Sequence, residues 1–160
     1  MPTPQYVLDL RRHIGTAPLF LPGVKSVIFD SSEQPRRVLL GKRSDNGRWH
    51  LPAGIMEPGE QPAPALVREV LEETGVRVAI DRLVRVNTLP RTTYPNGDQV
   101  QFLSLVFRGH WLAGGAHPAD DESTEVDWFD LDQLPAGLNG DDRAAIKQAL
   151  PVDAPTIFDR

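Results

Sequence analysis

Between Glu60 and Val76 the sequence is punctuated so tightly that one local structure remains open to it. Pro62 and Pro64 are tolerated in a helix only in its first turn, where their missing N–H groups have no intrahelical partner to lose. Gly75 is the residue type that ends a helix in left-handed geometry. The punctuation predicts a helix that begins just after Glu60, runs to Thr74 and stops at Gly75. At about 100° per residue, Glu69, Glu72 and Glu73 fall within an arc of about 100°. Ala65 is the only apolar residue on that side. Leu66, Val67, Val70 and Leu71 lie opposite and are expected to face a core. Arg68 stands beside the acids, four residues before Glu72. Three ionised carboxylates at ~5 Å and an effective dielectric near 20 repel by on the order of 3 kcal/mol per pair. A solvated acidic face with an Arg68–Glu72 pair is the plain account of such a helix. A divalent cation is the functional one, and all-oxygen ligands favour Mg²⁺ or Mn²⁺, less often Ca²⁺.

The longer pattern decides between them. Gly54 is followed after five residues by Glu60, after seven more by Arg68-Glu69-Val70, after one by Glu72-Glu73, and after one by Gly75-Val76. This resembles the Nudix box at every fixed position. Seven fixed residues at ~7% each make a chance match on the order of one in a hundred million per start position. Its flanks, WHLPAG before it and WFDLDQLP from Trp128 to Pro135, are similar to the family's too, with Ala53 where many members carry glycine. The resemblance implies the Nudix α/β fold, a mixed β-sheet sandwiched between helices, with the box as loop–helix–loop. It also implies hydrolysis of a pyrophosphate inside a nucleoside diphosphate linked to another group. By motif position, Glu69, Glu72 and Glu73 would be the metal carboxylates and Arg68 would orient them. Gly54 would offer its carbonyl to a metal. Glu60 would support the site through a metal-bound water or an ion pair with Arg68. The implied cofactor is Mg²⁺, with Mn²⁺ as its substitute.

The rest of the sequence sets the frame. At 160 residues the chain has room for one domain, expected to span 1–160. Lys+Arg 17 against Asp+Glu 22 leaves a net charge of −5, which argues against nucleic-acid binding, though not against a small nucleotide carrying its own metal. There is no cysteine, which removes thiol catalysis and Cys-ligated metals. No apolar run approaches a membrane span and the N-terminal segment has no signal-peptide core, so a soluble cytoplasmic protein is expected. Residues 5–13 read as a short amphipathic helix. Residues 24–29 and 37–40 read as a hairpin, with further strands at 76–80, 83–89, 100–106 and 126–129. Residues 141–150 read as a last helix. Asn96-Gly97 between two strands predicts a type I′ turn, whose loop is expected to act on substrate range.

Outside the box, Asp120–Glu125 is either a solubilising loop or the source of a carboxylate that activates water. Glu122 is favoured for that part and Glu125 is next. A metal-bound carboxylate is a weaker base than a free one. Arg43, Arg48 and Arg91 are candidate phosphate ligands. Tyr94 and Trp49 could stack on a ring, with Trp49 read first as core packing. The four histidines have no metal-ligand spacing. The expected substrate is a small nucleotide, with a weak lean to ADP-ribose or a nucleotide sugar from the LPAG…EPGE loop and Pro90. A (d)NTP or oxidised-nucleotide pyrophosphohydrolase is the enzyme alternative. A non-catalytic nucleotide sensor is the rival of another class, and the family's frequent homodimers leave a homodimer open.

Overall fold

Nine strands and three helices are found among residues 3–158, which the computed structural model describes. In chain order they are α1 (Gln5–Ile14), β1 (Leu19–Phe29), β2 (Arg37–Arg43), β3 (Trp49–His50), β4 (Ala53–Ile55), α2 (Pro62–Thr74), β5 (Arg77–Thr88), β6 (Thr92–Thr93), β7 (Gln99–Ala113), β8 (Ser123–Asp130), α3 (Gly140–Ala149) and β9 (Ile157–Phe158). The strands form one mixed sheet in the order β3-β2-β1-β7-β5-β9, with β4 also on β1, β6 on β7 and β8 on β2. β1–β7 and β5–β9 are parallel and the other pairs antiparallel. No helix among the described residues is long and apolar enough to cross a membrane.

Alternation along β1 explains the layers. Val24 and Ile28 pack with Ala65, Leu66 and Val70 of α2 on one face. Val27 and Phe29 pack with Ala145, Ile146 and Ala149 of α3 on the other. Leu21 shares the second face and meets Val7 of α1 and Val100 in a smaller cluster. Side chains two apart in a strand share a face, so α2 covers one side of the sheet while α1 and α3 share the other. Trp49 stacks edge-on against Phe129, with centroids 4.6 Å apart, in the α3-side core.

Three expectations change. The β1–β2 hairpin closes at a single ladder pair, Phe29 with Val38, because farther along the same edge of β2 pairs with β3 at Gly41 and Lys42, while β8 takes the other edge. The two strands expected at 76–80 and 83–89 are one strand, β5, whose register shifts at three places absorb the break in pattern. The turn after β6 is not type I′. The Gly97 N–H donates to Tyr94 O, Gly97 has φ 89°, and no non-glycine among the described residues has positive φ. Pro95 is the reason: its ring fixes the negative φ that a type I turn needs and type I′ forbids.

The predicted helix ends hold. Pro62 occupies the first turn of α2, and Gly75 caps it at φ 69° with its N–H on Leu71 O. A Cβ on Gly75 would come within 2.1 Å of the His117 ring. Gly75→Ala should therefore destabilise the fold by about 1 kcal/mol or more, from the left-handed backbone and the displaced ring together. A lowered urea midpoint at unchanged slope is the measurement.

Candidate active site

Local forces on α2 divide its acids. Ala65, Leu66, Val70 and Thr74 are buried, and Glu69 (0% exposed) and Glu73 (3%) are buried with them. Leu71, expected in the core, is 41% exposed. The helix is thus rolled toward its acids. The small Ala65 lets Glu69 and Glu73 approach the sheet, while Glu72 stays at the surface. The three carboxylates do not share one environment, and among the described residues no three His, Cys, Asp or Glu side chains converge as a ready metal cluster.

Arg68 accounts for part of the division. Its Nε and Nη2 donate to the two oxygens of Glu60 at 2.7 and 2.8 Å, a forked pair. Its Nη1 donates to Glu72 Oε2 at 3.2 Å. Glu60 also accepts the Glu57 N–H, which folds the loop before α2 onto the helix. Glu60 is held below the usual carboxylate range, chiefly by its hydrogen bonds from Arg68. Nη1 stands 2.8 Å from Glu69 Oε1 as an ion pair, at an angle that makes no hydrogen bond, and both Glu69 oxygens are buried without an accepted hydrogen bond.

The two inward acids are therefore poor anions in the protein alone. Burial pushes Glu69 up to about 7 against the opposing Arg68 charge. Burial, with the Glu69 and Asp120 charges added, pushes Glu73 up to about 8, while the Ala53 backbone N–H pulls the other way. Hard, buried oxygen donors lacking partners fit a divalent cation, which would satisfy them and favour their ionised form. The two Glu69 oxygens are so disposed, and buried Glu73, which accepts the Ala53 N–H, lies one turn on. Glu72 lies a turn away on Arg68.

The loop after β7 is fastened to the same place. The His117 N–H donates to Thr74 O and the Ala119 N–H to Glu73 O, both at 3.1 Å, so this segment closes the C-terminal end of α2 and carries Asp120 toward Glu73. Farther on, the Ser44 N–H donates to Glu122 O at 2.7 Å, which fastens Glu122 to the end of β2. Glu125 is opposite Lys42 in the β2–β8 ladder and forms an ion pair with it at 2.6 Å.

A cavity of about 670 Å³ opens on the sheet face opposite α2, walled by α1, β1, β7 and the 94–98 turn. Ala53 and Gly54 line it, and β4 is the seam between cavity and acids. Of the residues singled out from sequence, Arg43, Tyr94, Gly54 and Glu122 meet at this cavity, and Arg48 and Arg91 are not among its lining. Arg43 is held by Asp45 through two hydrogen bonds, at 2.9 and 2.6 Å. Sequence reasoning passed over Lys25 and Arg11, which also line it. The signal for Lys25 was a single charge inside the apolar run of β1.

With this geometry in hand, the relatives are informative. The family model described as NUDIX domain matches residues 19–150. A putative 8-oxo-dGTP diphosphatase of Bacillus subtilis is 31% identical over 117 residues, which are 73% of this chain and 71% of that one. An ADP-ribose pyrophosphatase of Methanocaldococcus jannaschii is 34% identical over 106 residues, 64% of this chain and 60% of that one. A solved NUDIX hydrolase from Nitrosomonas europaea superposes with a TM-score of 0.60 at 28% identity, covering 79% of this chain and 68% of that one. The chain spans about 60% of the length of some of the curated relatives it matches.

The raised carboxyls set a sign for stability. A folded-state pKa above the unfolded value means the fold holds protons that the unfolded chain releases, so stability present at pH 5 is lost as pH rises toward 9. In chelator the melting temperature should fall across that range. Glu73→Gln should flatten the fall, and Mg²⁺ or Mn²⁺ should raise the melting temperature more at pH 8.5 than at pH 6. A flat metal-free profile in the wild-type chain would contradict the assignment.

Proposed function

The chain belongs to the Nudix family, and from that premise we propose that it is a metal-dependent pyrophosphohydrolase acting on a nucleoside diphosphate linked to another moiety. The observation that carries this is the pair of buried acids, Glu69 and Glu73, set beside a cavity large enough for a nucleotide. Nudix enzymes use divalent metal ions such as Mg²⁺. A bound Mg²⁺ or Mn²⁺ would supply charge neutralisation on the pyrophosphate and a more acidic water.

The residues take parts that follow from their surroundings. Glu69 and Glu73 would hold the cation, with Glu72 and the Gly54 carbonyl as further oxygen donors. Arg68 is a positioning residue: its fork on Glu60 and its bond to Glu72 fix the loop and the helix relative to each other. Arg43 reaches the cavity and would exchange Asp45 for a substrate phosphate, a trade of one charged partner for another. Glu122 is the base we favour in the acidic loop, because it shares the cavity wall with Arg43, whereas Glu125 is committed to Lys42. Two substrate classes remain in view. ADP-ribose or a nucleotide sugar is one, supported by the loop sequence. A (d)NTP or oxidised nucleotide is the other, supported by the name of the Bacillus relative.

A phosphate-release screen with Mg²⁺ over ADP-ribose, nucleotide sugars, dinucleoside polyphosphates, NTPs and 8-oxo-dGTP tests the reaction. EDTA should abolish turnover and Mg²⁺ or Mn²⁺ restore it; full activity in chelator would refute the proposal. Glu73→Gln should lower kcat by about a hundredfold or more while the fold persists. Glu122→Gln should lower kcat strongly with KM nearly unchanged, and Asp120→Asn should do little. Near-normal kcat in both Glu122→Gln and Glu125→Gln would return the base to the box, with Glu69 first.

A further inference from the structure

The cavity's floor changes character along its length. Toward α1 it is apolar, with Leu21, Val100 and Phe102. Toward α3 it is polar, with Lys25 and Ser104, the latter only 4% exposed. Lys25 Nζ lies 2.7 Å from Asp142 Oδ1 and 3.4 Å from Asp141 Oδ2 at the start of α3. Asp142 is buried and also accepts the Leu51 N–H and Asn139 Nδ2, so the anchor of the ammonium is itself fixed. Arg85 pairs with Asp141 at 2.8 Å.

A second observation falls in the same region. Four buried side-chain polar atoms among the described residues lack a hydrogen-bond partner. Two are the Glu69 oxygens; the others are Arg85 Nε and Asn87 Oδ1. Asn87 is directly opposite Ser104 in the β5–β7 ladder, and Arg85 shares Asp141 with Lys25. Unpaired buried polar atoms are costly and call for an explanation. Here the two on β5 stand behind the polar end of the cavity, next to Ser104 and to the Asp141 that Lys25 shares.

The charges at that end cancel: Lys25 and Arg85 against Asp141 and Asp142. Such a floor holds no net attraction for a phosphate. An ammonium has three N–H donors, and two carboxylates account for two of them. We propose that Lys25, with the Ser104 hydroxyl, donates to a neutral carbonyl on the substrate's base. The cavity thereby selects a base with a ring carbonyl, such as hypoxanthine, guanine or uracil, over adenine, whose exocyclic amine would set donor against donor. The apolar end accepts the flat ring, and the phosphates extend to the Arg43 and Glu122 mouth. This rests on the pyrophosphohydrolase reading and narrows its substrate.

IMP and AMP differ at this base edge and contain no phosphoric anhydride, so their binding is measured without turnover. Calorimetry on the full chain in Mg²⁺ should give IMP an affinity about tenfold or more above that of AMP. Equal affinity, or tighter AMP, overturns the proposal. Lys25→Met should cut the preference to less than threefold, and an unchanged preference in a folded variant overturns it as well. If Lys25→Met fails to fold, the wild-type comparison decides alone. Hydrolysis of ITP and ATP is followed separately. A chain that prefers IMP but cleaves neither triphosphate nor any nucleoside diphosphate derivative loses the reaction and keeps the selection. A chain that cleaves both with equal kcat/KM and binds IMP and AMP equally loses the selection and keeps the reaction.

Discussion

Taking a carboxylate out of water costs several kcal/mol unless it is fully compensated, and α2 does this twice, one turn apart, with the Arg68 charge beside Glu69 and the Ala53 N–H on Glu73. The neighbouring structure is what sustains it. Leu66 and Val70 anchor the helix in the core on either side of Glu69, and Ala65 leaves the space that a larger side chain would take. Arg68 hydrogen-bonds Glu60 and Glu72 on the outer side and stands beside Glu69 as an ion pair, so the surface charges are compensated while the Glu69 oxygens accept no hydrogen bond. A site of this kind is defined by what it withholds from its acids.

The sheet separates the buried acids from the cavity. The acids belong to the helix on one face, and the cavity belongs to the face shared by α1 and α3. They meet at β4, a strand of three residues. Ala53 bears on Glu73 from one side and, with Gly54, borders the cavity from the other. On the reading proposed above, side chains on α1, β1 and the 94–98 turn could vary with the substrate while the acids stay in place.

Most local chemistry was legible in the sequence, the 94–97 turn excepted, where Pro95 overrules the Asn96-Gly97 signal, and what depended on distant partners was not. Pro62, Pro64 and Gly75 mark the ends of α2 because each acts on its own backbone. The rotation of α2 was invisible, since angular position says which residues are neighbours but not which neighbours the sheet will cover; Leu71 and Glu73 changed places for that reason. The pairing of β2 with β8 joins segments far apart in sequence, and no local pattern announces it. Lys25 was passed over because a lone charge in a strand reads as a solvated face. Its partners, Asp141 and Asp142, are more than a hundred residues away and become neighbours only when α3 docks.

The two N–H groups at His117 and Ala119 that close the end of α2 have a consequence for how the molecule breathes. These amides are bonded to carbonyls of the helix, so they become open to solvent hydrogen only when its last turn frays or the loop lifts. In deuterium the segment 117–119 and the C-terminal turn of α2 should exchange as one cooperative unit, at a rate unlike that of the exposed residues around them. Whatever steadies that unit, a cation between the acids included, will slow the exchange of a loop it does not touch.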